Sequence, residues 1–296
     1  MKRYDSFLIG HITNDESRDH LDHCERFYGG AELFSAYAAW AVGAKVGLLT
    51  KTARTDAPIL DLMPFSRQDI YWKPSESSTS MLNWYHTADR ERRDLIVSSV
   101  AEPFRVNEIP DEIQSEIYHL AGLIRGDYED GMIETLSRRG KVAVDMQGFL
   151  RCLDAERKGL YFADYEEKYR VFPYIHFLKT DAAEAEILTG CADRAEAAWQ
   201  MHAWGAKEVM VTHNSEVLVC AEGAVYTCPM RPRSLEGRTG RGDTAFGVYL
   251  VERLHRGVQQ ALNFATAAVS LKLETAGPLK NTRGEILHFQ REVMGM

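Results

Sequence analysis

The sequence predicts an α/β protein: a mostly parallel sheet with helices on both faces, interrupted by a small antiparallel β excursion. Three observations carry this. Apolar strand-like runs alternate with helical runs over residues 4–50 and again after residue 110, the rhythm of β-α-β units. Between residues 69 and 104 that rhythm gives way to β-leaning runs with no helix between them. Near the end, Glu236–Gly247 reads as a glycine turn opening directly into a helix.

Composition narrows the class. The 296 residues, 45% hydrophobic and 26% charged, suit a soluble globular chain with a sizeable core. A net charge of −8 without a basic cluster argues against binding along a nucleic acid backbone. No apolar run approaches the roughly 20 residues of a membrane span. The short one behind Lys2-Arg3 soon meets His11 and Asp15, so neither a span nor a signal peptide is expected. Cys24, Cys152, Cys191, Cys220 and Cys228 form no Cys-x-x-Cys pair and read as reduced cytoplasmic thiols. Neither a Walker A motif nor zinc-spaced His/Cys clusters occur.

In chain order, residues 4–10 form a first strand ending on Gly10, followed by a polar segment with Asp15. Gly29-Gly30 opens an alanine-rich helix to Val42, and Lys45–Thr50 is the next strand. Ile70–Lys73, Thr79–Thr87 and Asp94–Val100 make up the β excursion, with Arg90-Glu91-Arg92-Arg93 as a solvated hairpin tip. The alternation then resumes: a helix near Asp111–Leu120, a strand Gly122–Arg125, a helix Gly131–Arg139 and a strand Lys141–Met146 ending at Asp145. Tyr174–Lys179 is a strand leading into a capped helix in which Asp181 and Glu184 make a capping-box pair. Glu208–Thr212 is a strand, and Val217–Cys220 with Val225–Cys228 a hairpin turning at Glu222-Gly223. Val258–Thr275 is a buried helix.

Chemistry concentrates at Gly240-Arg241-Gly242-Asp243. Glycines let successive N–H groups converge, and a helix N-terminus adds unpaired donors and a dipole, which suits a phosphate or a developing anion. A carboxylate beside such a site is repelled by phosphate, so Asp243 reads as a base taking a proton from an attacking hydroxyl. Gly240-x-Gly242-x-x-Ala245 also matches a dinucleotide fingerprint, but no hydrophobic strand precedes it.

Gly240-Arg241-Gly242-Asp243 and the following Thr244-Ala245-Phe246-Gly247 resemble the C-terminal signature of the ribokinase-like (PfkB) carbohydrate kinases. Gly237 stands where that family usually has Asp, within the loop where it builds contacts that include a monovalent-cation site. Arg241 stands where it usually has Ala, adding a cation to the anion hole. The resemblance extends in order along nearly the whole chain and implies one domain over residues 1–296, with lid segments at about 11–28 and 69–104. It implies that Asp15, Gly29, Gly30, Phe34 and Asp145 bind substrate, with Phe34 in place of the usual Asn as in the inositol-kinase branch. Asp145, Gln147 and Arg151 resemble the family's Asp-x-Asn-x-x-x-Arg segment. Lys179-Thr180-Asp181 and Glu184 resemble Lys-x-Asn-x-x-Glu, which implies that Asp181 and Glu184 organise magnesium through water. Lys179, Thr212, Thr239, Gly240 and Gly242 are implied to contact the nucleotide, although residues 213–217 lack the glycines usual there.

The expectation is therefore an ATP- and Mg2+-dependent kinase acting on a small sugar or cyclitol, with Asp243 as base and Gly240, Arg241 and Gly242 as anion hole. The helix Val258–Thr275 would wall the adenine, and a homodimer could form through the lid. A nucleoside kinase, or a non-catalytic sugar or nucleotide sensor on the same scaffold, stays open as an alternative.

Overall fold

The computed structural model describes residues 1–87, 93–154, 156 and 158–296. The chain enters on β1 (Lys2–Ile9) and leaves it through an excursion, β2 (Thr13–Arg18) and β3 (Cys24–Gly29). Then α1 (Ala31–Ala41) and β4 (Val46–Ala53) complete a β-α-β unit. After β5 (Ile70–Ser75) comes a second excursion, β6 (Ser80–Tyr85) and β7 (Arg93–Ser99). Next are β8 (Ile113–Leu120), α2 (Met132–Ser137), β9 (Lys141–Asp145), the short α3 (Gln147–Leu150), and a ribbon of β10 (Arg151–Leu153) and β11 (Leu160–Phe162). They are followed by α4 (Lys168–Val171), β12 (Phe177–Asp181), α5 (Ala182–Thr189), α6 (Arg194–Ala203) and β13 (Glu208–Thr212). A hairpin of β14 (Glu216–Ala221) and β15 (Ala224–Pro229) precedes α7 (Arg241–Glu252), α8 (Val258–Leu273) and α9 (Arg283–Glu292).

Hydrogen bonds order the large sheet β15-β14-β13-β12-β9-β8-β1-β4-β5. Every neighbouring pair from β13 to β5 is parallel. The β14–β15 hairpin adds an antiparallel edge and turns through Glu222 and Gly223, both at positive φ. Chain order reverses at β1, since β4 and β5 lie to one side and β8 onward to the other. The carboxyl ends of β1 and β8 therefore flank the crevice where such sheets take their ligands. The second sheet, β3-β2-β6-β7, grows directly from the end of β1. Its outer pairs are antiparallel and its central pair, β2 with β6, is parallel.

One apolar layer packs α1, α7 and α8 on one face of the large sheet, and another gathers α2, α5 and α6 on the other. The α1–α7 crossing is tight because Gly247 has no side chain: a Cβ there would lie 2.6 Å from the Ser35 carbonyl oxygen. No helix among the described residues is long and apolar enough to cross a membrane, and the five cysteines are free.

Three local expectations are overturned. Residues 111–120 are no helix: after a turn at 111–112, Ile113–Leu120 is the strand β8, in which Ile113, Ser115 and Ile117 point inward while Gln114 and Glu116 are exposed, a period of two that the flanking acids obscure. Gly122–Arg125 is no strand, because the Asp127 carboxylate accepts the Leu123 and Ile124 N–H groups at 2.7 and 3.1 Å and curls the segment. The run at Ile70–Lys73 belongs to β5, which pairs with β4 as a parallel edge of the large sheet instead of joining the excursion. The proposed tip at Arg90, Glu91 and Arg92 lies outside the described residues, and Arg93 begins β7.

The Gly247 contact yields a stability prediction. Gly247→Ala should destabilise the protein by about 1–3 kcal/mol through overpacking, read as a lower urea midpoint at unchanged slope. An unchanged midpoint would mean that the α1–α7 distance is not set at this glycine.

Candidate active site

Three parallel strands end in polar residues on one face. Asp145 closes β9 in register with Lys179 of β12, and Lys179 is in register with Met210, two residues before Thr212, so all three side chains point to the same side. The first turn of α7 meets them there. Lys179 Nζ donates to Asp145 Oδ2 at 2.8 Å and lies 3.6 Å from Asp243 Oδ1. Burial pulls the Lys179 ammonium down, but Asp145, Asp243 and Glu184 outweigh it and hold it above its ordinary range. Burial likewise raises the Asp145 carboxyl, with Lys179 opposing. The Asp243 side chain keeps 15% exposure, so it is open to solvent where the Lys179 and Asp145 side chains are not.

The glycines at the α7 start are needed for space as well as conformation. Gly240 caps the helix at φ 75°, and a Cβ there would lie 2.2 Å from the Phe34 ring. A Cβ on Gly242 would lie 3.0 Å from Lys179 Cε. The first helical hydrogen bond runs from Thr244 N–H to the Gly240 carbonyl at 2.9 Å, so the N–H groups before it have no partner inside the helix. Ser35 Oγ on α1 donates to the Asp243 carbonyl at 3.0 Å and ties the two helices at this point. Arg241 donates to Asn214 Oδ1 at 2.7 Å, and Asp181 partly offsets the burial that lowers its guanidinium. Asn214 lies in the tight 213–215 turn between β13 and β14. Thr212 is buried and its hydroxyl donates to the Thr180 carbonyl at 3.4 Å, while the Thr239 side chain is exposed.

Asp15 and the glycine pair meet at the start of the small sheet. Asp15 accepts from the Thr13 hydroxyl at 2.8 Å and from the Met81 N–H of β6 at 2.9 Å. Burial pushes its carboxyl up to about 6 against those two donors. Gly29 faces it, since a Cβ there would lie 2.9 Å from Asp15 Oδ2. Gly30, at φ 99°, would clash with the His11 carbonyl at 2.4 Å if it carried a Cβ.

Asp181 and Glu184 form the expected capping box: Asp181 Oδ1 accepts the Glu184 N–H and Glu184 Oε2 the Asp181 N–H, both at 2.8 Å. Glu184 is buried, and its carboxyl is raised to about 7 by desolvation against Lys179. Each acid spends one oxygen on the cap, which leaves the other for a water. Among the described residues no group of three or more His, Cys, Asp or Glu is set to hold a metal directly. This donor set fits a magnesium ion that keeps its waters.

Three buried polar residues near the site escaped the sequence reading. Lys272 of α8 donates to the Gly237 and Thr239 carbonyls, with its ammonium 5.4 Å from the Phe34 ring centre. His119, next to last in β8, stands edge-on to Phe246 with both ring nitrogens unpartnered, and burial lowers it to about 4, so it is neutral at pH 7. Glu32 of α1 has no exposure and neither oxygen has a hydrogen-bond partner. The available cue was a lone charge in an otherwise apolar helical run, as at Glu32 and Lys272.

A lysine-bridged acid beside free helix-terminal N–H groups, at the carboxyl ends of a parallel sheet, is the equipment of a phosphotransferase. Comparison with known proteins specifies which: residues 83–283 match the pfkB family carbohydrate kinases, and the chain belongs to that family. It has the ribokinase-like fold. A solved pyrophosphate-dependent kinase of the ribokinase family, in a sulfate complex, is 31% identical, with a TM-score of 0.85 over 96% of this chain and 99% of that one. A structure of such a kinase with a pyrophosphate analogue and myo-inositol is also 31% identical, at TM-score 0.84 over 96% and 99%. A cytidine kinase of Thermococcus kodakarensis is 26% identical over 83% of this chain and 87% of its own. The ribokinase of Arabidopsis thaliana, complexed with ribose and ATP, shares the fold at TM-score 0.76 and 14% identity, covering 98% and 99%.

Glu32 offers a stability test. Burial raises its carboxyl well above the usual range, with the nearby Thr50 hydroxyl and Gly10 N–H opposing. A folded pKa above the unfolded one means that the folded state loses stability as pH rises from about 4.3 to the folded value. Glu32→Gln removes that loss, so its melting temperature should exceed the wild type's by more at pH 8 than at pH 5. A gap independent of pH would show that Glu32 is ionised when folded.

Proposed function

We propose that this chain transfers a phosphoryl group from a phosphoanhydride to a hydroxyl of a small cyclitol or sugar, with Asp243 as the base. The observation that carries this is the position of Asp243: beside Lys179, partly open, and one residue past the free N–H groups of the α7 start. Asp15, Gly29 and Gly30 bind the acceptor's other hydroxyls, with Phe34 and Asp145 bounding its site. Asp243 takes the hydroxyl proton as the acceptor oxygen bonds to phosphorus and the donor's bridging P–O bond breaks. The N–H groups of Gly240, Arg241 and Gly242 hold the charge on the group in flight, and Lys179 pairs with Asp243 at 3.6 Å. Asp181 and Glu184 would hold magnesium through water, and the bound ion would supply positive charge to the leaving phosphate.

ATP is the donor expected from the sequence, with α8 along its base and Lys179, Thr212, Thr239, Gly240 and Gly242 in contact with the nucleotide. One feature favours inorganic pyrophosphate instead. Arg241, held by Asn214, sets a guanidinium over the donor side, and the 213–215 turn contains none of the glycines that let a backbone lie along a nucleotide. The 31%-identical kinases described as pyrophosphate-dependent support the same donor, and the myo-inositol in one of them supports a cyclitol acceptor. A panel of both donors against cyclitols, sugars and nucleosides separates these readings. Transfer only to nucleosides would support a nucleoside kinase, and binding without transfer would support a sensor. The free cysteines support a cytoplasmic location, and a homodimer through the small sheet is testable by sedimentation.

With the active pair in hand, Asp243→Asn should bind donor normally and lose on the order of 10²–10⁴ in turnover. Full turnover would refute the base assignment. Because Asp15 protonates at about 6 and only its carboxylate is a full acceptor for hydroxyls, the acceptor KM should climb as pH falls through 6. A KM flat from pH 7 to pH 5 would remove Asp15 from the acceptor site.

A further inference from the structure

Lys272 takes no part in the proton transfer, yet only 1% of it is exposed, and it lies directly beneath the glycine loop. Its Nζ donates to the Gly237 carbonyl at 2.6 Å and to the Thr239 carbonyl. The end of α8 holds the same loop by one more hydrogen bond and by a close approach that only glycine allows. Gly237 N–H donates to the Leu273 carbonyl at 2.8 Å, and a Cβ on Gly237 would lie 1.9 Å from the Thr275 oxygen. The Phe34 ring fills the space between the ammonium and Gly240.

Peptide planarity turns this anchoring into an orientation. In a trans peptide the N–H points opposite to the C=O of the preceding residue. When Lys272 draws the Thr239 carbonyl toward α8, the Gly240 N–H must point away from α8. We propose that Lys272 is the positioning residue of the anion loop: its ammonium holds the Gly237 and Thr239 carbonyls so that the following N–H groups face the transferred phosphoryl group. A neutral side chain of similar length leaves both carbonyls without their donor and the loop free to rotate its peptides.

The cationic form does this best, because an ammonium offers three donors and a charge-assisted bond to each carbonyl. Burial lowers Lys272 to about 8, with Asp243 of α7 opposing. From α1 it faces the Phe34 ring. Around the loop, Arg238 is exposed, and Glu274 at the end of α8 is held by Arg233 at 2.8 Å. The charge is therefore present below about pH 8 and lost above it.

This inference rests on the phosphotransfer reading, and its test keeps the two apart. With the donor and acceptor that support turnover, Lys272→Met should lower kcat on the order of 10–10²-fold and leave the acceptor KM within about twofold, the pattern of misplaced groups that act in the transition state. Added ammonium or potassium ions, small enough for the carbonyl-lined socket, should restore part of kcat. Lys272→Arg should move the alkaline fall in kcat upward from about pH 8. Cation rescue or a displaced fall supports the proposal; a wild-type kcat in Lys272→Met, or absence of both responses, overturns it. Should Lys272→Met fail to fold, the Lys272→Arg profile decides. If the wild type transfers no phosphoryl group, the phosphotransfer reading falls. Calorimetry with inorganic pyrophosphate then decides on Lys272: binding about tenfold weaker in Lys272→Met supports it, and equal binding overturns it.

Discussion

The buried ammonium of Lys179 is the interaction on which the rest of the site depends. It lies between Asp145 and Asp243 with 6% of its side chain exposed, so each of the three charges would be unfavourable without the others. Two carboxylates alone at such a separation would drive one of them to protonate. The ammonium between them opposes the rise that burial gives the Asp145 carboxyl, at the desolvation cost that any buried ion carries. The same contacts tie β9, β12 and α7 together, which are far apart in the chain. The orientation of Asp243 is thus a property of the whole sheet and not of its own loop.

A second constraint is the close approach of α1 and α7. Gly240 and Gly247 accept Phe34 and Ser35 at distances that no side chain would tolerate, and the Ser35 hydroxyl closes on the Asp243 carbonyl. One helix grows from the glycine pair beside Asp15 and the other carries Asp243. Their crossing therefore sets the distance between Asp15 and Asp243. Asp15 itself links β2 to β6 through Met81, so one carboxylate ties the small sheet to the glycine pair at the start of α1.

Much of this arrangement is legible in the order of residues. The glycine turn at 240–242, the capping box of Asp181 and Glu184, the turn at Glu222-Gly223 and the helix after Gly30 are local signals, and each is realised where the pattern places it. The failures are equally specific. At 111–120, acids at the strand's start and on its exposed side imitated a helical opening and hid the two-residue period of Ile113, Ser115 and Ile117. At 122–125, a side-chain carboxylate four residues on captured the N–H groups that a strand would have used.

By itself, the sequence determined the alternating α/β architecture, the position of the glycine turn that opens α7 and the identity of the acid beside it, because periodicity, glycine and helix capping act over a few neighbouring residues. Only the tertiary structure decided that Lys179 bridges Asp145 and Asp243, that Lys272 lies under the loop, and that Glu32 and His119 are buried without partners. Those facts depend on which distant segments pack together, and the free energy of a charge is set by the neighbours it acquires there, not by its place in the chain.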